Sequence, residues 1–114
     1  MNQGVKTVLY PVSDLAAAKA LFTTLLGAEP MADAPYYVGW NIDGQDIGLV
    51  PSGPQQGLTG PLPYFQVSDI KGTLQELLAA GAQVMQDAKD VGGGKLVATV
   101  KDADGNLIGL AQNP

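Results

Sequence analysis

The sequence contains no cysteine and no histidine, and its six basic residues are all lysine. Without Cys there is no disulfide, no thiolate nucleophile and no sulfur-rich zinc site; without His the usual general base and the commonest metal ligand are missing. The lack of Arg removes the side chain best suited to bidentate contact with phosphate or guanine, and the net charge is −5, so nucleic acid is not an expected partner. No run of about 18 uncharged apolar residues occurs. Residues 1–7 carry no signal-peptide core, so no membrane association is expected and the cytoplasm is the expected location. A chain of 114 residues buries roughly two thirds of the surface it exposes when unfolded, enough for one domain to stand on its hydrophobic core.

What is present is written twice. The segment Asp104-Gly105-Asn106-Leu107-Ile108-Gly109-Leu110-Ala111 has an earlier counterpart in Asp43-Gly44-Gln45-Asp46-Ile47-Gly48-Leu49-Val50. Each copy is a turn dipeptide followed by a short apolar strand with a glycine at the same place. A second repeat pairs Val12-Ser13-Asp14-Leu15 with Val67-Ser68-Asp69-Ile70. The chain therefore divides into module one (1–50), a Pro- and Gly-rich linker (51–60) and module two (61–114).

Within module one, Val5 to Val12 is β-branched and aromatic, as a strand requires. Ser13 or Asp14 caps a helix with apolar positions Leu15, Ala18, Phe22, Leu25 and Leu26, stopped at Gly27. Ala28 to Ala34 is weakly patterned and suits a short strand. Tyr36 to Ile42, the Asp43-Gly44 turn and Gln45 to Val50 form a hairpin. Module two restarts the order: strand Leu62 to Val67, cap Ser68-Asp69, and a helix with the stripe Ile70, Thr73, Leu74, Leu77 and Leu78 ended by Gly81. Strands Gln83 to Val91, Lys95 to Lys101 and Asn106 to Gln112 follow. The expected fold class is α+β, built from two βαβββ modules.

These residues resemble the vicinal oxygen chelate superfamily of glyoxalase I, the bleomycin-resistance proteins and the extradiol dioxygenases. Three features carry the resemblance: Val-Ser-Asp-Leu opening a helix that ends Leu-Leu-Gly, its repeat from Val67 to Gly81, and the closing Asp-Ala-Asp-Gly-Asn-Leu-Ile-Gly-Leu-Ala-Gln. The resemblance implies a mixed sheet curled around a pocket between the modules, helices on the outside, and a homodimer. In metal-dependent members, His on the first strand of each unit and Glu or His on the last hold the ion. The matching positions here are Thr7, Leu62, Gly48 and Gly109. Such a set cannot hold zinc, iron or nickel, so no metal and no cofactor is expected. What the resemblance leaves is a metal-independent pocket for a hydrophobic or aromatic small molecule. The alternative within the same superfamily is an enzyme of the lyase or dioxygenase kind, with metal held elsewhere or with metal-free acid-base catalysis by a residue such as Tyr64.

Strand alternation extends the expected site, because side chains two apart share a face. If Thr7 and Leu62 face inward, so do Leu9 and Pro11, and Tyr64 and Gln66, while Tyr10, Val12, Phe65 and Val67 face the helices. Gly48 and Gly109 would leave room for a ligand to approach the backbone. On the hairpin strand, parity separates Tyr36, Val38, Trp40 and Ile42 from Tyr37, Gly39 and Asn41, with either set open to line the cavity, so both Tyr37 and Trp40 are candidates. Tyr64 and Gln66 suit stacking and one hydrogen bond to a planar ligand, or core packing with a satisfied amide. Asp43 and Asp46, and Asp102 and Asp104, flank turns and read as turn chemistry rather than acid-base pairs. Gly92-Gly93-Gly94-Lys95 lacks the Ser or Thr of a phosphate loop and reads as a mobile loop.

Overall fold

The computed structural model describes residues 2–51 and 60–114, so positions 52–59 of the expected linker lie outside the described residues. The chain forms two compact units, Lys6–Leu62 and Pro63–Pro114 with the chain start up to Val5. It contains β1 (Asn2–Pro11), α1 (Leu15–Leu26), β2 (Ala32–Ala34), β3 (Tyr37–Ile42), β4 (Gln45–Val50), β5 (Leu62–Val67), α2 (Ile70–Ala79), β6 (Gln83–Asp90), β7 (Leu96–Lys101) and β8 (Leu107–Gln112). No described helix is long and apolar enough to cross a membrane.

In the first module the strand order is β2-β3-β4-β1, with β1 and β4 parallel and the other neighbours antiparallel. The β3–β4 turn places Asp43 at φ 55° and Gly44 at φ 88°. Both central residues are thus left-handed, as the tightest hairpin turn requires and as Asp-Gly readily supplies. Asp14 caps α1 by accepting a hydrogen bond from the Ala17 amide at 3.0 Å, and Gly27 ends the helix at φ 68°. Leu15, Ala18, Phe22 and Leu26 of α1 pack on Val38, Trp40 and Leu49, with Tyr10 and Val12 beside them. Leu25, expected in that stripe, instead points outward and is 71% exposed. The helix is apolar around most of its circumference, so periodicity did not mark its buried edge.

In the second module the order is β5-β8-β7-β6, with β5 and β8 parallel. Asp69 repeats the cap, accepting from the Gly72 amide at 3.1 Å, and the Gln112 side chain accepts from the Ile70 amide at 2.7 Å. The end of β8 is thereby tied to the start of α2, and two otherwise orphaned amides are satisfied. Ile70 and Leu74 of α2 pack on Val67, Ala98, Val100 and Leu110, with Phe65, Leu77 and Ile108 at the margin. Leu78, the last member of the expected stripe, is 43% exposed. Gly92 to Gly94 form a closed turn between β6 and β7: Asp90 accepts from the Gly92 amide, and the Val91 amide donates to the Lys95 carbonyl at 2.9 Å.

Candidate functional site

Register decides which side chains share the face of the first module that points away from α1. Leu9, Gly48 and Gly39 lie abreast on β1, β4 and β3, and Thr7, Asp46 and Asn41 form the next row. Tyr37, two residues before Gly39, belongs to the same face. Its ring lies across two glycines. An added Cβ would lie 2.6 Å from the Tyr37 Cε2 at Gly39, and 2.5 Å from the Tyr37 hydroxyl at Gly48. The Leu9 Cδ2 is also 2.8 Å from a Cβ placed at Gly48. Tyr37 is half-buried, and burial together with the Asp46 carboxylate pushes its phenol above the ordinary value. Asp46 in turn accepts a hydrogen bond from the Asn41 amide nitrogen at 2.8 Å.

The second module builds a similar arrangement from different strands. Tyr64 on β5 lies level with Gly109 on β8, which lies level with Thr99 on β7. The Tyr64 ring crosses Gly109, where a Cβ would lie 2.3 Å from its Cδ1. Burial raises the Tyr64 phenol, and the Thr99 side chain opposes that rise in part. Gln66 lies level with Ala111, one row further along the same face.

These positions correct two sequence expectations. Trp40 is not on the open face: it is 2% exposed against α1, and its indole nitrogen donates to the Ala28 carbonyl at 2.9 Å. Its ring centre lies 6.1 Å from that of Phe22, which lies 5.1 Å from Tyr10, so it belongs to an aromatic core. Strand parity forces this outcome once Tyr37 faces the other way. Gly48 and Gly109, expected to leave space for a ligand, do leave space, but Tyr37 and Tyr64 occupy it. Leu62 is fully buried, at 1% exposure, while Thr7 and Leu9 are half-buried.

The sequence alone marks neither Asp46 nor Thr99 as a site residue. The alternation that places Gly48, two residues on, also puts Asp46 on that face, but its nearness to the Asp43-Gly44 turn reads as turn chemistry. The other turn carboxylate fits its expected role: Asp102 accepts from the Asp104 and Asn106 amides and from the Asn106 side chain, which holds its carboxyl below the ordinary value. Thr99 is set by cross-strand register, which one strand's sequence does not carry. Among the described residues no group of three or more Asp or Glu is arranged to hold a metal ion. Thr7, Leu62, Gly48 and Gly109 supply one hydroxyl between them, so the implied metal centre does not fit these four positions.

A family model described as Glyoxalase/Bleomycin resistance protein/Dioxygenase superfamily matches residues 4–110. No curated protein matches the chain significantly. Among solved structures, a superfamily member from Vibrio splendidus 12B01 is 20% identical with a TM-score of 0.73, covering 99% of this chain and 100% of that one. Methylmalonyl-CoA epimerase from Mycobacterium tuberculosis is 17% identical with a TM-score of 0.73, covering 99% and 89%. The Mn(II)-bound glyoxalase from Novosphingobium aromaticivorans is 16% identical with a TM-score of 0.74, covering 98% of this chain and 40% of that one. At these identities the likeness is one of fold.

Proposed function

Because this chain belongs to the glyoxalase/bleomycin resistance protein/dioxygenase superfamily, we propose that it acts as a metal-independent small-molecule binding protein. Its ligand is hydrophobic or aromatic and rests against a tyrosine-floored sheet face, of which each module carries one, with Tyr37 in the first and Tyr64 in the second. The observation that supports this reading most directly is the replacement of donor positions by an aromatic floor. Where metal-dependent relatives carry ligating side chains on the last strand of each module, this chain has glycine with a tyrosine ring laid over it. A half-buried ring with a raised phenol stays neutral at physiological pH and offers an apolar surface and one hydrogen-bonding tip. Leu9, Thr7 and Gln66 flank these rings and give the faces apolar area with few polar anchors, as small-molecule sites have.

Native mass spectrometry of the freshly purified chain tests the reading, because one spectrum reports metal, retained organic ligand and oligomer. The expected result is a homodimer at its bare mass or with an organic adduct, unchanged in metal content after incubation with zinc, manganese or nickel. A stoichiometric divalent ion that survives desalting would overturn it. In calorimetry with a panel of aromatic compounds, Tyr37→Ala or Tyr64→Ala is expected to weaken binding by about tenfold, the loss of one aromatic contact pair with its area. The second reading, an enzyme of the lyase or dioxygenase kind, draws on Asp46, whose carboxylate shares the Tyr37 face. Activity abolished by chelator and restored by a divalent ion would put that reading first.

A further inference from the structure

The second module has a cavity of about 500 Å³ on the opposite side of its sheet, between α2 and strands β5 and β8. Its walls are Phe65, Val67, Leu77, Ile108 and Leu110. Val67 and Leu110 belong to the rigid core, at 3% and 2% exposure, so the floor is preformed. The charged groups in its lining are Asp69 and Glu76, and no lysine stands among the lining residues. Asp69 uses its Oδ1 to cap α2, leaving an Oδ2 that receives no hydrogen bond among the described residues and lies 2.4 Å from where a Gly72 Cβ would be. Glu76, one turn beyond Gly72 on the same side of the helix, is exposed, and its carboxylate forms no hydrogen bond or ion pair among the described residues. Thr73 is already engaged, donating to the Asp69 carbonyl at 2.8 Å.

We propose that this cavity is a second binding site, separate from the Tyr64 face, for small organic cations with an apolar body and a primary ammonium head. The volume falls within the range of small-molecule sites, and the apolar walls accept the body. Two carboxylates with free acceptor capacity and no competing cation select the head by charge. An anionic ligand of the same shape meets repulsion at the rim instead. Phe65 and Leu110 point to α2, whereas Tyr64 and Gly109 point away from it, so this proposal and the metal-independent reading fail or stand separately.

The test is titration of the 15N-labelled full chain with 4-phenylbutylamine, 4-phenylbutanol and 4-phenylbutyrate, read as amide shift changes. The expected result is saturable shifts at Phe65, Thr73, Glu76, Leu77 and Ile108 with the amine tightest and the carboxylate weakest. Glu76→Gln, at an exposed helix position, should narrow the amine-to-alcohol preference by about two- to fivefold, the range of an exposed ion pair. Equal binding of amine and carboxylate, shifts confined to the Tyr64 face, or an amine preference unchanged in Glu76→Gln would each overturn the proposal.

Discussion

Replacing Gly109 by alanine isolates the packing that builds the second module's open face. Gly109 is buried and its φ is not left-handed, so alanine meets no backbone penalty and the effect is purely one of space. The added Cβ would lie 2.3 Å from Tyr64 Cδ1, 2.7 Å from Cε1 and 2.8 Å from Cγ. Those atoms sit near the root of the ring, so rotating the tip cannot relieve the overlap and the whole side chain must swing off β8. Overpacking of this kind costs about 1–3 kcal/mol. Against this, the stiffer unfolded chain returns about 0.4–1 kcal/mol. With overlaps this close the upper end of the overpacking range applies, and the net expectation is a loss of about 2 kcal/mol, read as a lower urea midpoint by far-UV circular dichroism at unchanged slope. Gly48→Ala should cost less, because its nearest neighbours are the Tyr37 hydroxyl, the adjoining Cε1 and Leu9 Cδ2, all at the far ends of their side chains. The decisive measurement is the double variant Gly109→Ala/Tyr64→Leu. If Tyr64 is the obstacle, the two substitutions are strongly non-additive and alanine becomes nearly neutral once the ring is gone. Additive losses, or a neutral Gly109→Ala on its own, would refute the account.

Stability should fall as pH rises above about 10, the unfolded tyrosine value, because Tyr37 and Tyr64 have raised folded values. The unfolded chain releases those protons first, so the stabilisation is complete below pH 10 and is lost through the folded values. Urea midpoints taken from pH 9 to 12 check this, and Tyr37→Phe/Tyr64→Phe should flatten the decline. Trp40→Ala should cost about 3–5 kcal/mol through lost core packing, while Trp40→Phe, which keeps a ring and loses the bond to Ala28, should cost much less. Neither Trp40 variant that remains folded should change aromatic-ligand affinity measured by calorimetry. Asn106→Ala should raise the Asp102 value toward the ordinary carboxylate range, since Asn106 is the largest cause of its depression. Carboxyl chemical shifts followed against pH would read it directly, and an unmoved midpoint would contradict the hydrogen-bond assignment.

Much of this protein is written locally, and those parts were legible without coordinates. The Asp14 and Asp69 caps, the Gly27 stop, the Asp43-Gly44 turn and the order of elements depend on residues within a few positions of one another. Short-range sterics and hydrogen bonding suffice to specify them. The duplicated modules and the unsuitability of Thr7, Leu62, Gly48 and Gly109 as metal ligands also follow from residue type alone. Tertiary structure decided what alternation leaves degenerate. Strand parity divides β3 into two sets but does not say which set meets a helix. Only the packing of Val38 and Trp40 on Phe22 turns Tyr37 to the open face. The glycine floors are likewise a product of register: Tyr64, Gly109 and Thr99 are far apart in sequence and become one row because three strands align there. A bare strand position reads as room for a ligand. Whether that room is empty depends on which neighbouring ring the sheet delivers to it, and here the sheet delivers tyrosine both times.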